Sequence, residues 1–274
     1  MRLFDAHNHI QDERLLGDRG EIVRASIDVG VAAMVVNATS EADWDAVERL
    51  AASHPEVVPS FGVHPWHIAG LAAGWQERLV KRLRRRPSAV GEIGIDHFRE
   101  GLDRGLQERV FLEQLQIAVE ERLPVSIHGL RAWGRLYDLL RAARTPAEGF
   151  LLHSYGGPSE MVGGFADLGA YFSFSGAFLR PGRESRTAVF RGIPRDRLLV
   201  ETDAPYQALP LELDPCKASR GLASGALNHP ATIGVTYCGL ARVLGINAEE
   251  LAGQAERNFR ALFRKLLRDP ARAP

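Results

Sequence analysis

Phe4-Asp5-Ala6-His7-Asn8-His9 is a short strand that runs into two histidines one residue apart. Successive side chains on a strand point to opposite faces, so His7 and His9 project the same way. Two neutral imidazoles side by side form a bidentate grip for a zinc-like divalent ion. By the same alternation Asp5 falls on their face and can orient one ring by accepting its second N–H. The residues just after this strand decide between two folds. A doubly wound nucleotide-binding sheet carries a glycine-rich phosphate loop after its first strand, and residues 10–17 contain no such fingerprint.

Outward from this stretch, short β-branched or apolar runs alternate with helical patterns along the whole chain. Strands are predicted at residues 3–6, 32–37, 57–62, 89–95, 125–128, 150–153, 171–175 and 198–202. Helical patterns occupy 18–29, 42–53, 74–85, 106–122, 132–142, 160–168, 180–190, 230–244 and 248–267. Alternating units imply a parallel sheet, and eight of them close into an α/β TIM barrel of the (β/α)₈ type, a single domain over residues 1–274.

The 274 residues carry 45% hydrophobic and 25% charged side chains, the balance of a soluble protein with a real core. A formal net charge of zero provides no global attraction for nucleic acid or anionic membrane. Cys216 and Cys238 form no C-x-x-C pair and no disulfide framework, which points to a reduced cytoplasm. The histidine pair begins at residue 7, too early to leave room for a signal peptide before it. The longest apolar run, residues 29–36, is too short to span a bilayer. No segment calls for an obligate protein partner. The basic run Lys81-Arg82-Leu83-Arg84-Arg85-Arg86 closes a predicted helix, where cations complement the dipole. A long loop at 207–227, after the eighth strand, could edge a substrate cleft.

Placed on these strands, the metal-competent side chains coincide. His7 and His9 end strand 1, Glu92 lies in strand 4, His128 ends strand 5, His153 ends strand 6, and Asp203 follows strand 8. The C-terminal strand ends form the catalytic face of a barrel. Four histidines and two carboxylates suit two divalent ions sharing one bridging carboxylate, about 3.5–4 Å apart. With Glu92 inward, Ile93 and Ile95 face the helices and Gly94 faces the interior, leaving space or marking a kink. Lys81, Lys217 and Lys265 are the only lysines, none on a strand end, so a glutamate bridge remains rather than a carbamylated lysine.

Five segments together resemble the TatD metal-dependent deoxyribonucleases of the amidohydrolase superfamily: Asp5-Ala6-His7-Asn8-His9, Gly62-Val63-His64-Pro65, Gly91-Glu92-Ile93-Gly94-Ile95-Asp96, Pro124-Val125-Ser126-Ile127-His128 and Glu201-Thr202-Asp203-Ala204-Pro205. The resemblance implies that His7, His9, Glu92 and Asp203 hold one metal, and that Glu92, His128 and His153 hold the other. It also implies hydrolysis of phosphodiester bonds in DNA. The departures fall in the mouth loops: His97 where an aromatic is common, His153-Ser154-Tyr155-Gly156-Gly157, Trp66-His67 after Pro65, and Asn228-His229-Pro230.

On this reading Asp203 takes the proton of a metal-bound water as general base, and His64 donates to a non-bridging oxygen or the leaving group. His97 is a further mouth candidate, Arg220 matches a phosphate bidentately, and Trp66 or Tyr206 can stack on a base. Glu201 shares the inward face of strand 8 with Asp203 and is expected to orient a ligand, with a strand-1 histidine as first choice and Ser173 or Ser175 as alternatives. The cofactors expected are two divalent ions (Zn, Mn, Ni or Mg), and the substrate is single-stranded or damaged DNA trimmed from an end. The rival is a dinuclear metal hydrolase of a small ester, lactone or amide on the same barrel.

Overall fold

The computed structural model describes residues 1–15, 17–215 and 227–267. Eight strands form one parallel sheet in sequence order: β1 (Leu3–Asn8), β2 (Val31–Asn37), β3 (Val57–Phe61), β4 (Ala89–Asp96), β5 (Val125–Leu130), β6 (Phe150–Leu152), β7 (Ala170–Ser175) and β8 (Leu198–Glu201). Around them lie α1 (Arg19–Asp28), α2 (Trp44–Ser53), α3 (Trp75–Leu83), α4 (Arg104–Glu121), α5 (Trp133–Ala142), α6 (Val162–Asp167), α7 (Glu184–Val189), α8 (Ile233–Leu244) and α9 (Ala248–Phe263). The barrel closes just past β8, where Asp203 N donates to His7 O at 2.9 Å and His9 N donates to Ala204 O at 2.7 Å. This is the predicted (β/α)₈ barrel.

Two apolar layers hold it. Outward strand residues such as Val31, Val36, Ile93, Ile95 and Ile127 pack on the helices. Inward residues from seven of the eight strands, among them Phe4, Val35, Val58, Leu151 and Leu199, gather on Phe259, Leu262 and Phe263 of α9. α9 therefore plugs the N-terminal end of the barrel, and the polar residues are left at the opposite end. Asn247 starts α9 by accepting from Glu249 N.

α4 does more than cover the sheet. Gln107 accepts from Asp96 N at 2.6 Å and donates to Asp96 O at 3.0 Å. Gln114 accepts from Val63 N at 2.7 Å and donates to Val63 O at 3.1 Å. These buried amides satisfy backbone groups at the ends of β3 and β4 that the ladder leaves free, and so fix the loops that carry the site.

The helix expected at 180–190 is shorter. A 3₁₀ turn covers Gly176–Leu179, Gly182 takes φ +79°, and α7 begins at Glu184. Pro181 and the left-handed Gly182 prevent the helix from starting earlier. The 160–168 and 230–244 patterns likewise open with 3₁₀ turns, Ser159–Met161 and Pro230–Thr232. Residues 216–226 of the loop after β8 lie outside the described residues.

Candidate metal centre

The C-terminal strand ends bring seven side chains to one point. His7 lies in β1 and His9 directly follows it; Glu92 is in β4, His128 in β5, and His153 directly follows β6. His64 comes from the loop after β3, and Asp203 from the turn after β8. Glu92 sorts them. Its Oε2 lies 3.1 Å from His9 Nε2 and 3.4 Å from His7 Nε2. Its Oε1 lies 2.9 Å from His153 Nε2, 3.0 Å from His128 Nδ1 and 3.5 Å from His64 Nε2. One carboxylate thus faces two separate groups of imidazoles, one on each oxygen.

The outer hydrogen bonds decide which ring nitrogens can ligate. His9 Nδ1 donates to the Asn37 carbonyl at 2.7 Å, leaving the Nε2 lone pair toward Glu92. His128 Nε2 donates to Asp96 Oδ2 at 3.2 Å, leaving its Nδ1 lone pair inward. His7 Nδ1 sits 2.7 Å from Ser126 Oγ, and its ring stacks on His153 with centroids 4.0 Å apart. His64 is set up in the opposite sense. Its Nδ1 accepts from Trp66 N at 3.2 Å, so its proton resides on the inward Nε2. Burial pushes His64 down to about 4, and it is a neutral N–H donor at pH 7.

Asp203 adopts φ +54°. Its Oδ2 accepts from Gln207 Nε2 at 2.9 Å. Its Oδ1 is buried without a hydrogen-bond partner, 3.5 Å from His9 Nε2 and 3.8 Å from His7 Nε2. An orphaned buried carboxylate oxygen facing imidazole nitrogens is a nest of acceptors without enough donors, the arrangement a divalent cation completes. Sets of His7, His9 and Glu92, of His7, His153 and Asp203, and of His64, Glu92 and His128 each bring ligand atoms within 4.8 Å. The donor set fits divalent metal.

Without a cation the charges distribute as the burial requires. Burial, then the charge of His153, push His7 down to about 3. For His9, burial alone would lower the value, but the hydrogen bond and charge of Glu92 and the charge of Asp203 raise it to about 9. Burial raises Asp203 to about 6. Glu92 stays well below the usual carboxylate range; burial opposes this, but His153, His64 and His128 override it.

Two expectations about orienting residues need correction. Asp5 touches neither imidazole. Its carboxylate accepts from Thr202 N at 3.0 Å, Thr202 Oγ1 at 2.5 Å and Asn8 Nδ2 at 3.0 Å, which ties β1 to the chain after β8. The β1–β2 register shifts between Asp5 and Asn8, so the alternation that put Asp5 on the face of His7 breaks there. Glu201 points inward as expected; of the partners named for it, the alternative Ser173 on β7 is found rather than a β1 histidine, and the loop after β6 adds Ser154 and His153. It accepts from Ser173 Oγ and Ser154 Oγ and lies 3.5 Å from His153 Nδ1.

The mouth candidates divide. Trp66 packs edge-on against His64 with centroids 5.0 Å apart, and Tyr206 packs edge-on against His9 at 5.5 Å. Among the described residues His97 makes no side-chain hydrogen bond or ion pair with the seven; the charges around it are Arg104 and Glu108 of α4, Asp96 at the end of β4 and Arg135 of α5. Arg220 lies outside the described residues. Asp96, Ser126, Asn37 and Gln207 take part although sequence reasoning did not find them. Ser126 was within reach, since it precedes His128 by two residues on one strand. Asp96 closes the segment Gly91–Asp96 on strand 4, but nothing in its spacing gave its partners.

Comparison with known proteins identifies the relatives of this chain. A family model described as TatD related DNase matches residues 4–264. The chain is 31% identical over 265 residues to the 3'-5' ssDNA/RNA exonuclease TatD of Citrobacter koseri, spanning 95% of this chain and 98% of that protein. It is 32% identical over 270 residues to the protein of the same name from Pantoea vagans, spanning 96% and 99%. Among solved structures, YJJV, a TatD homolog from Escherichia coli k12, superposes with a TM-score of 0.86 at 27% identity, covering 96% of this chain and 98% of that one.

Proposed function

The chain belongs to the TatD related DNase family, and from that membership we propose that it is a metal-dependent exonuclease removing nucleotides from single-stranded or damaged DNA. The 3'-to-5' direction and the acceptance of RNA are taken over from the names of its relatives. The observation that carries the reading is the division of Glu92, with His7 and His9 on Oε2 and His128 and His153 on Oε1. That division supports two ions sharing Glu92, with Asp203 completing the first group. Such ions polarise a phosphoryl oxygen and bring a bound water toward neutral pKa.

The protein's own groups supply the rest. Asp203 Oδ1 takes the proton of the attacking water, and Gln207 holds the other oxygen so that Oδ1 stays turned inward. His64 offers its Nε2–H to a phosphoryl or leaving oxygen, with Trp66 N fixing the tautomer. Among the described residues no helix is long and apolar enough to cross a membrane, and Cys238 is a free, exposed thiol; both accord with the cytoplasmic setting we propose.

The test is to strip the protein of metal and incubate it with end-labelled single-stranded DNA and RNA, adding back Mg, Mn, Zn and Ni separately. Laddered loss of nucleotides from the 3' end is expected with at least one metal. Asp203→Asn should keep the fold and lose most turnover, about 10²-fold or more, because an amide cannot act as the base. Turnover of small esters with no oligonucleotide cleavage under any metal would favour the rival hydrolase reading.

A further inference from the structure

Phe98 is the one aromatic among the exposed large apolar side chains of the described residues, at 54% exposure. It lies two residues past the end of β4. Arg131 lies one residue past the end of β5, and the register pairs Asp96 with Leu130, so the two emerge side by side at the mouth. The Arg131 guanidinium sits over the Phe98 ring, 4.5 Å from its centroid, and Arg131 holds the left-handed conformation at φ +54°. A non-glycine residue takes that conformation at a cost, which surrounding structure or function has to offset. On the same loop as Phe98, Arg99 sits over the ring of Trp66 from the loop after β3, at 4.9 Å.

These pairs are built onto the centre by one carboxylate. Asp96 Oδ1 accepts from Phe98 N at 2.7 Å and Arg99 N at 3.0 Å. Asp96 Oδ2 accepts from Trp66 Nε1 at 2.7 Å and His128 Nε2 at 3.2 Å. The loop that presents Phe98 and Arg99 therefore hangs from the group that orients His128. Arg14, Arg78, Arg84 and Arg135 each meet a carboxylate. Arg99 and Arg131 make no ion pair among the described residues and lie instead over the two mouth aromatics.

Resting on the nuclease reading of the centre, we propose that Phe98 and Arg131, with Arg99 over Trp66, form a subsite that holds a nucleotide adjacent to the scissile linkage of a single-stranded nucleic acid. Ring and guanidinium planes stack on any exposed base without reading its identity, and the guanidinium forks take the phosphates between. A base paired within a duplex presents no free face to this subsite, which favours unpaired ends.

The experiment is steady-state hydrolysis of a labelled single-stranded decanucleotide by the metal-loaded protein. Phe98→Ala should raise KM about 5- to 150-fold, the range of one lost base stack, with the effect on KM rather than kcat. Phe98→Trp should restore it. Arg131→Gln should also raise KM and lower by about one unit the steepness with which log(kcat/KM) falls against log salt. A non-cleavable phosphorothioate strand carrying 2-aminopurine should lose its binding-induced quenching in Phe98→Ala at one position only. An unchanged KM in Phe98→Ala together with an unchanged salt slope in Arg131→Gln overturns the subsite while the nuclease reading stands. A wild-type protein that cleaves no oligonucleotide overturns that reading and the subsite with it.

Discussion

A fully buried carboxylate must be supplied with donors, and Glu201 has Ser173 Oγ, Ser154 Oγ and the nearby His153 Nδ1. Burial alone would raise its pKa, but His153 and the serine hydroxyl hold it below the ordinary value, so Glu201 is ionised and favours a proton on His153 Nδ1. That leaves His153 Nε2, 2.9 Å from Glu92, as the nitrogen free to ligate. Glu201→Gln removes the charge that selects this tautomer while keeping the shape. Metal retention should weaken about 10–100-fold with the unfolding midpoint little changed, read by competition against a chelator. Equal retention in the variant would show that His153 needs no such partner. The inward position of Glu201 was legible, because β8 alternates regularly and Leu199 below it also faces in. Of its partners Ser173 was among the candidates, as the alternative to a strand-1 histidine, whereas Ser154 and His153 were not, since the distance between β8 and the loop after β6 is not written in spacing along the chain.

Alternation succeeds on β5, β6, β7 and β8 and fails on the two strands with register shifts. On β1, Phe4 and Ala6 belong to the inward cluster, yet His7 also turns inward, and the irregularity lies between Asp5 and Asn8. On β4 the pairing shifts between Val90 and Ile93. Ala89 faces in and a Cβ at Gly91 would meet Ser60, Ser126 and Asn37, while Glu92 reaches the centre from the very next position. Such irregularities re-aim side chains beside active sites, and their net effect here is to put His7 and Glu92 together. Counting back from the motif therefore gathered the candidate ligands but gave the wrong face for Asp5. Gly94 continues the distortion of β4, at φ +149°, where an added Cβ would lie 2.0 Å from the His128 carbonyl oxygen. The neighbour is backbone of the strand that carries a ligand, so it cannot turn aside as a side chain would. Gly94→Ala should destabilise by about 2–4 kcal/mol, combining overpacking with backbone strain, and loosen metal as His128 shifts. Urea unfolding checks the first and chelator competition the second; a loss below about 0.5 kcal/mol would mean that β5 yields easily.

At the scale of the whole barrel, α9 seals one end with Phe259, Leu262 and Phe263, and the polar centre at the other end has only its own side chains to balance its charges. With a formal net charge of zero, the field that matters is local. In the metal-free protein a proton serves in place of a cation. His9 holds one up to about 9, because the pull of Glu92 and Asp203 outweighs burial, and Asp203 holds one up to about 6, chiefly through burial. Both folded values lie above the ordinary 6.5 and 3.8, so the stability these protons contribute is complete at low pH. It is lost as pH rises, from Asp203 between about 4 and 6 and from His9 between about 6.5 and 9. Metal binding has the opposite sign, because ligands must be deprotonated and each proton displaced makes affinity grow about tenfold per pH unit. Metal affinity should therefore climb between pH 6 and 9 as His9 releases its proton, with His128 and His153, both also held above the ordinary value by Glu92 against burial, adding to the slope, and climb more steeply below 6 where Asp203 must also release its proton. A fixed metal concentration near 100 times its dissociation constant should add about 2.7 kcal/mol to stability, roughly 5–10 °C for a domain of this size. That thermal shift should widen with pH while the metal-free midpoint falls, and calorimetry in buffers of different ionisation enthalpy should register the released protons. An affinity that stays flat from pH 6 to 9 would mean that His9 is already neutral in the metal-free barrel and that Glu92 does not hold its proton.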